Sequence, residues 1–250
     1  MDETRLEIRR AAETLFPNSV RMRKWHEDYV RWHEARLALD LKMVIENGSS
    51  QSAAKIIEVG AIPPVLTLAL SNLGLEVIGV DIDPQRYGTS IAEHSLDVRQ
   101  CNIETQQLPV EESFADVVIF NEVFEHLRIN PIYTMTEVLK VLKPGGTLYL
   151  STPNLLSLRG LNSLLRKGEA RAIGGDIFDE FSKLDTLGHM GHVREYTPTE
   201  VRQFLCRCGF TCDGVVFRGA ETRAESFASK FIPWLLPFFT VIASKPKDEV

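Results

Sequence analysis

Apolar positions recur every three to four residues over two opening stretches, roughly 3–16 and 19–46, and this period predicts two helices parted by Pro17 and Asn18. The second carries Trp25, Tyr29 and Trp32 at steps of four and three, so the three rings are expected on one helical face, as packing or as a cap over a bound molecule. After the polar linker Asn47-Gly48-Ser49-Ser50 the period changes. Short apolar runs at Lys55–Val59, Glu76–Val80, Leu96–Gln100, Val117–Phe120 and Thr147–Ser151 alternate with helical stretches at Val65–Leu73, after Pro84 and at Pro131–Leu142. The fifth run follows the turn Lys143-Pro144-Gly145-Gly146. Two further strands are expected at Phe210–Phe217 and Phe239–Ala243. Runs this apolar, alternating with helices, predict an α/β fold: a doubly wound, mostly parallel seven-stranded sheet with helices on both faces.

Two segments sit outside that alternation. Residues 1–50 read as an N-terminal helical cap ahead of a domain over 51–250, and residues 153–192, with two short helical patterns among polar and glycine positions, read as an insertion after strand five. A sharp helix start follows at Thr197-Pro198-Thr199-Glu200, where a capping threonine, a proline in the first turn and a glutamate three residues on agree; the helix should end at Gly209.

Composition narrows the function class. With 250 residues, 44% of them hydrophobic and 25% charged, the chain can bury one large core. A formal net charge of −6 argues against a DNA-gripping protein, although Arg21, Arg23 and Lys24 form a local basic patch. The opening MDETRLEIRR lacks a secretory core and no run reaches about 18 apolar residues, so a cytoplasmic protein without a transmembrane segment is expected. Of four cysteines, Cys206, Cys208 and Cys212 crowd one helix and the strand after it without the paired spacing of a zinc site, and buried reduced thiols are expected.

In open parallel sheets ligands bind beyond the carboxyl ends of the strands. There the sequence places Glu58-Val59-Gly60-Ala61 at the end of strand one and Asp81-Ile82-Asp83 after strand two; an acid in the second position can accept two hydrogen bonds from a ribose diol. The segments IIEVGA, VIGVDIDP, LPVEESFADVVIFNEVFEHL and VLKPGGTLYLSTPN, in this order over residues 54–154, resemble the successive motifs of class I S-adenosylmethionine-dependent methyltransferases of the small-molecule type, and HVREYT and Cys208-Gly209-Phe210 are also similar. The resemblance implies that S-adenosylmethionine is the cofactor. It further implies that Glu58 helps hold its methionine end through the loop after it, that Asp81 takes its ribose hydroxyls, that Asn102 stands where an acid usually meets its adenine, that Asn121 follows strand four beside the transferred methyl, and that Gly60, Ala61, Ile82 and Ile103 also bind the cofactor. The chain departs from the family pattern at Gly60-Ala61-Ile62-Pro63-Pro64, which keeps only the first glycine of the usual turn and removes two backbone donors.

Methyl transfer from a sulfonium is a displacement whose leaving group is already activated, so the protein mainly aligns the acceptor and, for a hydroxyl, takes its proton. His126, His189 and His192 are the candidates, His192 foremost as general base. Glu122, Glu125 and His126 would share one face if a helix began after strand four, and with His192 they would make a Mg²⁺ or Mn²⁺ site. The Glu-x-x-Glu-His arrangement is similar to metal-assisted O-methyltransferases of the ubiquinone pathway and to small-RNA 2′-O-methyltransferases, whereas metal-free relatives use the same string to pack behind the cofactor. A hydroxyl of a small or carrier-linked molecule, first a sugar or lipid-linked saccharide, is the expected acceptor; Phe231–Phe239 either packs under the sheet edge or lines a greasy pocket. A homodimer is compatible with this reading. The alternatives are an RNA 2′-O- or N-methyltransferase and a non-catalytic binding protein on the same fold.

Overall fold

A computed structural model describes residues 3–48, 54–187, 191–219, 225, 227 and 230–247. The candidate His189 lies outside the described residues. Seven strands are hydrogen-bonded in the order β3-β2-β1-β4-β5-β7-β6. They run β1 Lys55–Val59, β2 Glu76–Asp81, β3 Asp97–Gln100, β4 Ala115–Asn121, β5 Leu142–Pro153, β6 Thr211–Arg218 and β7 Phe238–Ser244. β1, β2 and β3 pair in parallel, while β7 runs antiparallel to both β5 and β6. The expected mostly parallel α/β sheet is therefore present. The chain divides into two compact units, Met1–Ile119 with Lys140–Gly146, and Phe120–Leu139 with Thr147–Val250.

The first unit holds α1 (Glu3–Thr14), α2 (Arg23–Gly48), α3 (Val65–Asn72) and α4 (Gly88–Glu93) with β1 to β3. α3 is buried from Val65 through Leu70, its one polar side chain in that stretch, Thr67, being hydrogen-bonded to Glu58. α2 turns Leu37, Ala38, Leu41 and Val44 into the core. Its His26 is buried between the Tyr87 hydroxyl, 2.8 Å away, and the Ala12 carbonyl. That choice of face corrects the expected aromatic stripe. Trp25 and Tyr29 do pack, with ring centroids 5.4 Å apart, but Tyr29 continues to His33 at 4.5 Å and Trp32 is 62% exposed.

The second unit contains α5 (Pro131–Val141) up to Leu139, α6 (Leu158–Lys167), α7 (Ile177–Leu187) and α8 (Pro198–Arg207). The cap read from the sequence is formed: Thr197 Oγ1 accepts the Glu200 amide, and the Glu200 carboxylate accepts the Thr197 amide. The helices α6 and α7 account for the two short patterns in the insertion. α7 turns Glu180 inward and leaves Ile177 and Phe178 about four-fifths exposed. The apolar run before β7 splits. Asn154 Nδ2 donates to the Trp234 and Leu236 carbonyls, Leu235, Leu236 and Phe239 are buried, and Phe231 and Trp234 stay outside. Among the described residues no helix is long and apolar enough to cross a membrane.

The cysteines depart from expectation. Cys101 is buried, but Cys206 is exposed and Cys208 and Cys212 are half-buried, because they occupy the end of α8 and the start of β6, the last strand in the sheet order.

Candidate active site

In the first unit β1 and β2 each carry an acid at or near their carboxyl ends, Glu58 and Asp81. Glu58 is buried and accepts a 2.5 Å hydrogen bond from Thr67 of α3. Burial pushes its carboxyl up to about 7; the Thr67 bond opposes that, and among the nearby charges Asp40 adds to it and Arg36 of α2 reduces it. Gly60 turns the chain with a φ of +74°, a conformation glycine adopts without strain. The loop then lies flat on β2, where a Cβ on Gly79 would stand 2.9 Å from the Ala61 Cβ.

Asp81 ends β2 half-buried. One carboxylate oxygen accepts the Ile62 amide at 3.2 Å and the other the Asp83 amide at 2.9 Å. Burial raises its pKa, and the two amides and Arg86 oppose the rise. The altered loop leaves few donors. The Gly60 and Ala61 amides both reach the Val80 carbonyl, the Ile62 amide is taken by Asp81, and Pro63 and Pro64 have none. Ile82 projects outward beside Asp81, whereas Asn102 uses its side-chain oxygen on the Glu104 amide and Ile103 is half-buried. An amide oxygen carries two lone pairs, so Asn102 retains one acceptor site.

In the second unit β4 ends at Asn121, whose side-chain oxygen and nitrogen are both buried without a hydrogen-bond partner among the described residues. Glu122 follows in the left-handed region, with a φ of +53°, and Phe124–His126 forms one 3-10 turn in place of an α-helix. This corrects the expected shared face. The glutamate amide donates to the Ser151 carbonyl and its carboxylate accepts the Ser151 hydroxyl at 2.7 Å, with Arg218 Nη2 3.6 Å away. Glu122 is thus turned to β5 and β6, out of the group of ligand atoms it was expected to join.

Glu125, His126 and His192 do converge, with one potential ligand atom from each lying within 4.8 Å of the others. Glu125 Oε2 accepts the Thr152 hydroxyl at 2.9 Å, but Oε1 is buried without a hydrogen bond among the described residues, 4.0 Å from His126 Nε2 and 3.9 Å from His192 Nε2. Burial raises the Glu125 pKa, the Glu122 carboxylate adds to that, and His192 pulls it back. Each imidazole is oriented through its other nitrogen. His126 Nδ1 meets the Gly191 carbonyl at 3.0 Å, and His192 Nδ1 meets Glu195 Oε1 at 3.0 Å.

Glu195 and Glu180 were not singled out in the sequence. The Glu195 carboxylate also accepts the consecutive amides of Ala172, Ile173 and Gly174, and Glu180 of α7 accepts the amides of Gly175 and His192 and the Lys183 ammonium. Burial alone would raise Glu195, but His192 and the three amides outweigh it and its pKa is lowered. Burial likewise opposes the charged form of His192, yet Glu195, Glu125 and Glu180 together raise its pKa. The spacing of three between His192 and Glu195 was the available signal; for Glu180, which precedes His192 by twelve residues, there was none.

A methyltransferase-domain family model matches residues 25–214. The rat mitochondrial ubiquinone biosynthesis O-methyltransferase is 33% identical over 121 residues, 44% of this chain and 34% of that protein. The ubiquinone biosynthesis O-methyltransferase of Methylococcus capsulatus is 30% identical over 132 residues, 49% of this chain and 55% of its own length. These matches span between a third and about half of the relatives. Among solved structures, a SAM-dependent methyltransferase of Thermotoga maritima, described as a possible histamine N-methyltransferase, superposes with a TM-score of 0.60 at 15% identity, covering 90% of this chain and 97% of that one. That likeness concerns the fold, and the match over residues 25–214 shows that the chain belongs to the methyltransferase-domain family of class I α/β proteins.

Proposed function

We propose that the chain is an S-adenosylmethionine-dependent O-methyltransferase that holds a divalent cation, Mg²⁺ or Mn²⁺, at Glu125, His126 and His192. The observation that carries the metal reading is Glu125 Oε1, a buried oxygen without a hydrogen-bond partner among the described residues, approached by two imidazole nitrogens at distances too long for direct hydrogen bonds. Both imidazoles give their second nitrogen to a carbonyl or carboxylate, the usual way a histidine ligand is held in orientation. A bound cation would lower the pKa of an acceptor hydroxyl.

The cofactor reading rests on Asp81, a fixed and partly accessible carboxylate suited to a ribose diol, and on Asn102, whose side-chain oxygen keeps one acceptor site. Glu58 acts through the loop: buried against Thr67, it anchors the β1 end from which Gly60 and Ala61 turn. The Gly60–Pro64 segment contributes shape more than hydrogen bonds, because its amides are already committed. S-Adenosylmethionine supplies the methyl group and its sulfonium leaving group.

The acceptor is a hydroxyl of a small or carrier-linked molecule, a saccharide hydroxyl being one such group; relatives named for O-methylation in ubiquinone biosynthesis support the oxygen acceptor. The His192–Glu195 hydrogen bond favours a second, metal-free reading in which His192 takes the acceptor proton at Nε2 while Glu195 holds Nδ1. Calorimetric titration with S-adenosylhomocysteine tests the cofactor site. Binding in the wild type that weakens at least tenfold in Asp81→Ala is expected; equal affinity in both, or no binding in either, would overturn the assignment.

A further inference from the structure

The three clustered cysteines are not used by the site above, and two of them are brought together by the local fold. α8 ends at Arg207, Gly209 reverses the chain with a φ of +99°, and β6 begins at Thr211. This reversal sets Cys206, in the last turn of α8, against Cys212, the second residue of β6, with their sulfur atoms 3.2 Å apart. Between Cys212 and Gly214 the pairing with β7 slips by one residue. A bulge of this kind breaks the alternation of side chains and re-aims the residues beside it. Cys206 is exposed, so a small reagent can reach it, while Cys212 is half-buried and its thiol also donates toward the Arg202 carbonyl at 3.4 Å.

We propose that Cys206 and Cys212 are a reversible dithiol–disulfide site that closes on meeting a small dialkyl disulfide such as oxidised glutathione. The Cys206 thiolate attacks one sulfur of the reagent, forming a mixed disulfide and releasing one reduced thiol. The Cys212 thiolate then attacks the Cys206 sulfur, breaking the mixed disulfide and releasing the second. Two protein thiols are oxidised, one reagent disulfide is reduced to two thiols, and both protein protons end on the released thiols. Closure needs about 1 Å of approach from the present separation to a normal sulfur–sulfur bond. Cys206 is the exposed thiol, and burial with the neighbouring Cys206 raises the Cys212 thiol above the ordinary cysteine range, so the first attack belongs to Cys206.

The test treats the full chain with oxidised glutathione and reads thiol count, intact mass and tryptic peptides. Two of the four thiols should disappear, the mass should fall by two hydrogen atoms, and Gln203–Arg207 should become linked to Cys208–Arg218, all reversed by dithiothreitol. Cys208→Ser should cross-link as the wild type does, and Cys212→Ser should stop at a glutathione adduct on Cys206. Retention of all four thiols, a wild-type product that stays at the glutathione adduct, or loss of the cross-link in Cys208→Ser would overturn the proposal.

Discussion

At the scale of single residues, the chemistry depends on how a few buried carboxylates are neutralised. Glu58 is raised to about 7 chiefly by burial, so between the ordinary carboxylate range and pH 7 the folded chain binds a proton that the unfolded chain has released. Stability from this group is therefore full at low pH and is lost as pH rises through that window, by up to about 3 kcal/mol. Thermal melts of Glu58→Gln should show a flatter fall in Tm from pH 5 to pH 8 than the wild type; an unchanged slope would contradict the burial argument. Glu195 is different, because it stays charged against three amides and His192. Glu195→Gln keeps the shape but gives up the charge, and at least a tenfold loss in Mn²⁺ affinity is expected, with S-adenosylhomocysteine binding unchanged. Loss of both together would instead mark a general unfolding of the site.

At the scale of elements, what was legible in the sequence followed period and punctuation. The five alternating runs, the Thr197 cap and the Gly209 stop all reappear as β1–β5 and α8. Thr197→Ala removes one half of a reciprocal cap and should lower stability by about 1 kcal/mol in chemical denaturation; no change would mean that Pro198 and packing alone set the helix start. The segment after β4 was misread for a local reason. Spacing of three and four implies a shared face only on an α-helix, and Glu122 at a φ of +53° prevents one from starting. His192 was found by motif, but Glu180 was not, since its partner lies across an insertion whose path no local pattern specifies. α7 carries an inverted pattern, with its charged Glu180 inside and Ile177 and Phe178 outside, which periodicity alone assigns the other way round.

At the scale of the whole molecule, the family assignment and the particular chemistry rest on different evidence. The sheet order and the match over residues 25–214 establish the class I methyltransferase family, yet a fold of this kind hosts many reactions and does not choose among them. The proposed choice rests on the group around Glu125, where two imidazoles approach a carboxylate oxygen that has no hydrogen bond among the described residues. The most direct test is Mn²⁺ binding followed by electron paramagnetic resonance in the wild type, Glu122→Gln, Glu125→Gln and His192→Ala. One Mn²⁺ bound by the wild type and by Glu122→Gln, and lost in Glu125→Gln and His192→Ala, is the expected result. No binding by the wild type, or equal binding in all four proteins, would contradict a cation held by Glu125, His126 and His192.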